Sequence, residues 1–183
     1  MNCVELAIPE VKLIEPRVFS DPRGYFVETY RRDTFARHGI LEEFRQDNRS
    51  FSGLGVVRGL HYQLPPSAQS KLVSVLRGSI FDVAVDIRRG APSFGRHVGI
   101  VLRAADKKVI YVPAGFAHGF LALEEGTEVL YKVSTPYAPE SERGILWNDP
   151  ALGIAWPVAP GIEPRLSDKD RLYPGLKNAE IFS

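Results

Sequence analysis

Short apolar or alternating runs, each cut off by a turn after a few residues, dominate the chain from Tyr25 to Val133. The runs that read as strands are Tyr25–Tyr30, Val56–Gln63, Leu72–Leu76, Ile80–Ile87, Val98–Leu102, Val109–Val112, Gly119–Leu123 and Glu128–Val133. Between them stand breakers such as Arg77-Gly78, Arg89-Gly90-Ala91-Pro92, Ala104-Ala105-Asp106 and Glu124-Glu125-Gly126. Many short strands with Gly and Pro turns predict an all-β sandwich or barrel rather than alternating strands and helices. Only Arg32–His38 reads as a helix, opened by Asp33 or Thr34 and closed by Gly39, with one further turn at Asp168–Leu172. The Pro-rich stretch Trp156–Pro164 is expected to wrap the surface rather than link two domains.

The totals narrow the function classes. A chain of 183 residues fits one domain spanning 1–183 and is long enough to bury a core unaided. A net charge of +1 gives no support for a nucleic-acid or anionic-membrane surface. The single cysteine, Cys3, cannot form an intramolecular disulfide and fits a reducing compartment. The start MNCVELAIPEV does not read as a signal peptide, and no apolar run approaches a membrane span. The expectation is a cytoplasmic protein.

Alternation then sorts side chains by face, because successive residues of a strand point to opposite sides. Lys71 falls with Val73 and Val75; Tyr131 with Val129 and Val133, leaving Lys132 outside; His61 with Val57, Gly59 and Gln63. A Lys, a Tyr and a His on apolar faces are unusual for a core built only for stability. Strict alternation sets Arg58 on the face opposite His61 unless a bulge at Gly59 re-aims it. Asp82 and Asp86 lie opposite the apolar Phe81/Val83/Val85/Ile87 face, so they either meet solvent or, for Asp82, orient His118.

The frame Gly55-x5-His61-x-Gln63…Lys71-x6-Gly78 resembles the first cupin motif, and PAGFAH from Pro113 to His118 resembles the second. Where the metal-binding form of that motif carries a second His and a Glu, this chain has Gln63 and Lys71. A protonated lysine has no lone pair to offer a metal and repels a divalent ion in a dry cavity. What is left is a base beside a fixed positive charge, which suits proton abstraction next to a carbonyl. His61 is the leading base, since imidazole titrates near neutrality. Lys71 is suited to stabilising a growing enolate, and Tyr131 to giving a proton from the other side of the substrate. The plain alternatives are a packed histidine, a lysine snorkelling from a barrel rim and an aromatic core residue. For a charged ligand the informative residues are Arg23, Glu28, Gln46, Asn48, Arg58 and Arg143, where paired arginines suit a diphosphate.

The blocks RGLHYQ, KLV…RG…FDVAVDIR, PAGFAHGF, LYK and ILWNDP, with DPRGYFVE and QDN upstream and LSDKD downstream, cover about Ile8 to Asp170. Together they resemble the dTDP-4-dehydrorhamnose 3,5-epimerase family. The resemblance implies a cupin jelly roll, a homodimer, and inversion at carbons 3 and 5 of dTDP-4-dehydro-6-deoxy-D-glucose without metal or organic cofactor. It further implies that His61 is the general base, Asp170 its orienting carboxylate, Tyr131 the proton donor and Lys71 the group facing the ketone oxygen. By the same resemblance Arg23, Glu28, Gln46, Asn48, Arg58, His118, Glu142 and Lys169 contact substrate, and Tyr137 stacks on thymine. Contacts from the Arg23–Glu28 strand are expected to reach the neighbouring subunit's site.

Three other readings compete. One is a relative that inverts a single carbon or shifts the ketone. Another is a metal-dependent cupin oxygenase or isomerase using His61 and His118. The last is a non-catalytic module that binds sugar nucleotides.

Overall fold

The computed structural model describes residues 1–182. Thirteen strands run in chain order: β1 (Asn2–Glu5), β2 (Lys12–Glu15), β3 (Val18–Asp21), β4 (Gly24–Val27), β5 (Gln46–Ser52), β6 (Val57–Gln63) and β7 (Lys71–Arg77). They continue with β8 (Ser79–Asp86), β9 (His97–Arg103), β10 (Val109–Val112), β11 (Phe116–Ala122), β12 (Thr127–Val133) and β13 (Glu142–Gly144). Two short helices, α1 (Arg32–Ala36) and α2 (Asp168–Leu172), complete the regular structure with two single turns of 3-10 helix. Six strands form one antiparallel sheet in the order β1-β2-β10-β7-β12-β5, and five form another in the order β13-β6-β11-β8-β9. This is the expected all-β cupin jelly roll. No helix among the described residues is long and apolar enough to cross a membrane.

Three apolar layers hold the sheets. Val73, Val75, Ile110 and Val129 of the six-stranded sheet meet Ile80, Ala84, Phe116 and Phe120 of the five-stranded sheet in the central layer. Outside the five-stranded sheet, Leu60, Tyr62, Val83, Val85 and Ile87 pack beneath Trp156, Leu176 and Phe182. Outside the six-stranded sheet, Leu72, Val109 and Tyr111 are covered by Phe35 and Ile40. The Trp156–Pro164 stretch accordingly starts by capping a face, with Trp156 edge-on to Phe81 and Trp147.

That arrangement corrects one expectation. Neither face of β8 meets water: Asp82 and Asp86 are both fully buried, on the face that looks into the sandwich. Asp86 is satisfied there by Arg88 and Ser93, and Asp82 by His118.

Element boundaries shift in explicable ways. The run Tyr25–Tyr30 is strand only through Val27, because β4 pairs with β3 alone and has no third strand to extend it. Helix α1 starts at Arg32, ahead of Asp33 and Thr34, and stops at Ala36; Gly39 follows at φ +78° as the expected terminator. The turn at Asp168–Leu172 is helical over that whole span.

The bulge at Gly59 is present. His61 faces His118 and Arg58 faces Phe120, so β6 spends three steps where β11 spends two. Gly59 sits at φ +117°, and a Cβ there would lie 2.5 Å from the Gly119 Cα and 2.6 Å from the His118 carbonyl oxygen. The extra residue turns Arg58 back to the side of the sheet that carries His61.

Candidate active site

One end of the sandwich opens into a cavity of about 580 Å³, within the range that small ligands use. Its walls belong to opposite sheets. Asn48, Ser50, Lys71 and Tyr131 come from β5, β7 and β12; Arg58, His61, His118 and Glu142 come from β6, β11 and β13. Lys169 and Asp170 enter from α2.

His61 is half-buried, and its Nε2 lies 2.5 Å from Oδ1 of the buried Asp170. Ser167 caps α2 by accepting from the Asp170 N–H, which fixes the helix that carries the carboxylate. Burial pushes the Asp170 carboxyl up. The hydrogen bond and charge of His61, with bonds from Ser167 and the Gly59 backbone, outweigh it and leave it below the usual range. A carboxylate so held can orient an imidazole and stabilise its protonated form.

His118 carries a second such partner, with Nε2 2.8 Å from Oδ2 of Asp82, both groups buried. The two imidazoles are register partners across β6 and β11. Among the described residues no three His, Cys, Asp or Glu side chains gather as a metal shell.

Facing the histidines, Lys71 sits where alternation put it. Its Nζ donates to the His61 carbonyl oxygen at 3.2 Å. Desolvation pushes the amine down to about 8, with Asp82 and Glu142 pulling against that shift. It therefore keeps its charge at neutral pH without strong pairing. Tyr131 lies on β12 between the buried Val129 and Val133, and burial drives its phenol up to about 12. Its hydroxyl is 3.1 Å from Ser50 Oγ, and its ring is edge-on to His118 at 6.5 Å between centroids. Lys132 points outward to Asp47, as alternation requires.

At the mouth, Lys169 pairs with Glu142, and the Tyr137 hydroxyl donates to the same Glu142 carboxylate at 2.6 Å. Desolvation raises Glu142, but its bonds to Lys169 and Tyr137 hold it below the ordinary carboxylate value. Gln46 accepts from the Tyr137 N–H at 3.1 Å and donates to Asn48. Arg58 donates to Ser52 Oγ and the Phe51 carbonyl, which ties β6 to the edge strand β5.

Some expected residues lie elsewhere. Arg23 sits on the exposed β3–β4 hairpin, paired with Asp21, and Glu28 pairs with Arg31. Arg143 turns away from the cavity to Glu180. Gln63, at a cupin ligand position, is buried and clamps two loops: it donates to the Ser67 and Pro136 carbonyls and accepts from the Ala138 N–H. Sequence reading passed over Ser50, Gln69, Arg165 and Ser167 in the cavity wall. Only Ser167 carried a signal, as the residue preceding the α2 run.

The fold and the cavity define a jelly-roll protein with a carboxylate-oriented imidazole facing a phenol and a buried amine, the equipment of an acid–base isomerase. Residues 5–178 match the family model described as dTDP-4-dehydrorhamnose 3,5-epimerase. The enzyme of that name from Pseudomonas aeruginosa is 51% identical over 183 residues, covering 100% of this chain and 99% of its own. The Legionella pneumophila dTDP-6-deoxy-D-glucose-3,5-epimerase, solved with dTDP-4-keto-L-rhamnose, is 44% identical with a TM-score of 0.92, covering 97% of this chain and 93% of that one. A 3'-monoepimerase from Streptomyces bikiniensis, solved with dTDP-quinovose, is 38% identical with a TM-score of 0.87, covering 94% and 86%. The chain belongs to the dTDP-4-dehydrorhamnose 3,5-epimerase family.

Proposed function

We propose that this protein inverts carbons 3 and 5 of dTDP-4-dehydro-6-deoxy-D-glucose to give dTDP-4-dehydro-L-rhamnose, a cofactor-free isomerisation in dTDP-L-rhamnose biosynthesis. Hydrogens on both carbons flanking the 4-ketone are acidic, because either deprotonation spreads charge onto the same oxygen. His61, oriented by Asp170, takes the proton; the Lys71 ammonium faces the oxygen as charge grows there; Tyr131 returns a proton from the opposite side. The ketone is its own electron sink, so this route draws on no metal or organic cofactor.

The observation that carries the reading is that His61 and Tyr131 belong to facing sheets, with Lys71 lining the same cavity. Removal on one face and delivery on the other is what inversion requires. Asn48, Arg58, His118, Glu142 and Lys169 surround the sugar diphosphate in this assignment, Gln46 supports that wall, and Tyr137 stacks on the base. Arg23 and Glu28 serve the site of a second copy in a homodimer. Support for that lies in the β3–β4 hairpin, which exposes Phe19, Tyr25 and Phe26 beside an Arg23 whose side chain is 90% exposed. We assign the protein to the cytoplasm, where such precursors are made.

Turnover of the 4-keto sugar nucleotide in deuterated water tests the reaction. Deuterium at both carbons of the product is the expected result. Label at one carbon alone would reassign the protein as a monoepimerase.

A further inference from the structure

We propose that Ser50 is a positioning residue for proton return: its hydroxyl holds the Tyr131 O–H toward the cavity and then donates to the phenolate left behind. This rests on the assignment of Tyr131 as proton donor.

Ser50 lies on β5, opposite Val129 of β12, and Tyr131 lies two residues along β12 on the same face. This diagonal relation brings Ser50 Oγ to 3.1 Å from the Tyr131 hydroxyl. Among the described residues, Ser50 is the hydrogen-bond partner of that hydroxyl. Both residues line the cavity, and Ser50 is only half-buried, so it stands between the phenol and water.

The chemistry asks for such a group. When Tyr131 gives its proton to carbon, the O–H bond breaks, a C–H bond forms, and the oxygen keeps the electron pair. A bare phenolate in this position is disfavoured, since burial already drives the phenol up. A serine hydroxyl can accept from the phenol before transfer and rotate to donate after it. Arg58 acts on the phenolate in the same direction through its charge. Water then reprotonates Tyr131 and takes the proton from His61, so the cycle balances.

The test compares Ser50→Ala, Ser50→Thr and Ser50→Val with Tyr131→Phe in deuterated water. The measured quantities are the rate of product formation and the rate at which solvent deuterium enters recovered substrate. In Ser50→Ala, product formation should fall about tenfold, the size of one hydrogen bond to a charged oxygen. Wash-in should stay within about twofold, because proton removal by His61 is untouched. Threonine keeps the hydroxyl and should restore turnover, whereas the isosteric valine should not. The Thr and Val pair also removes differences in fold stability from the comparison.

Equal losses of wash-in and product formation would mean that Ser50 merely shapes the site, and would overturn the proposal. So would a wild-type rate in Ser50→Ala or Ser50→Val. If Tyr131→Phe still inverts normally, the donor assignment itself falls and takes this inference with it. If Tyr131→Phe stops inversion while Ser50→Ala does not, only the inference about Ser50 is lost.

Discussion

His61 and Asp170 are 109 positions apart in the chain and 2.5 Å apart at Nε2 and Oδ1. The bond fixes which ring nitrogen is committed to the carboxylate and leaves the other for substrate. Asp170→Asn keeps the shape and removes the charge, so it should lower turnover by about 100- to 10,000-fold. Binding of dTDP should change little, because the nucleotide wall is formed by other residues. Turnover measured alongside a dTDP titration checks both halves. A comparable loss of nucleotide affinity would show that Asp170 holds the wall rather than the base.

Lys71 sets an alkaline limit. The amine is useful only when protonated, and burial has brought it down to about 8. The charged form prevails below that pH and is lost above it. The kcat/KM profile should therefore bend downward near pH 8 and approach about a tenfold loss per pH unit beyond it. Lys71→Met should remove most activity and abolish that limb. A wild-type profile that stays flat to about pH 10 would mean that the ammonium does not act on the ketone oxygen.

Tyr131→Phe separates removal of a proton from its return. Wash-in of solvent deuterium into the starting sugar should persist while epimerised product falls at least about 100-fold, the lower range for a lost general acid. His61→Ala should instead abolish exchange at both carbons. Isotope ratios in recovered substrate and product distinguish the two variants.

Gly59 allows the bulge, and no other residue fits there. A methyl group would meet backbone at 2.5 and 2.6 Å, and the φ of +117° is strained for any L side chain. Gly59→Ala should cost roughly 3 kcal/mol or more in stability and disturb Arg58 and His61 together. Thermal unfolding with activity at a permissive temperature checks it. A stable variant of normal activity would show that β6 accommodates the extra residue in another way.

The limits of legibility follow from where each strand gets its stability. Strands β6, β7, β8 and β12 bury apolar residues, so their alternation placed Lys71, His61 and Tyr131 correctly. Strand β5 reads QDNRSFS, and its pocket-lining positions include the polar Asn48 and Ser50. It is held by seven register pairs to β12 rather than by its own hydrophobicity, so pattern reading missed it and Ser50 with it. The same holds for the three-residue β13. The pairing of Asp170 with His61 had no local signal, since it depends on the C-terminal segment crossing to β6. Gln63 misled for a physical reason: its amide is spent on backbone groups of two loops rather than on a ligand.

The hairpin of β3 and β4 makes a prediction that one subunit cannot satisfy. It pairs only with itself and presents Phe26 at 70% exposure, with Arg23 at its turn. If Arg23 serves the partner's nucleotide, Arg23→Ala and His61→Ala are defects in different halves of each site. A mixed dimer then has one site with both residues intact and one site with neither. Random reassortment makes half of the dimers mixed, so activity should recover to about a quarter of wild type. The assay is turnover at substrate well below KM, after the two weakly active variants are unfolded and refolded together. Should each site use its own Arg23, every site in the mixture is defective in one residue. Activity then stays at the mean of the parents, and the crossing of the hairpin between subunits is disproved.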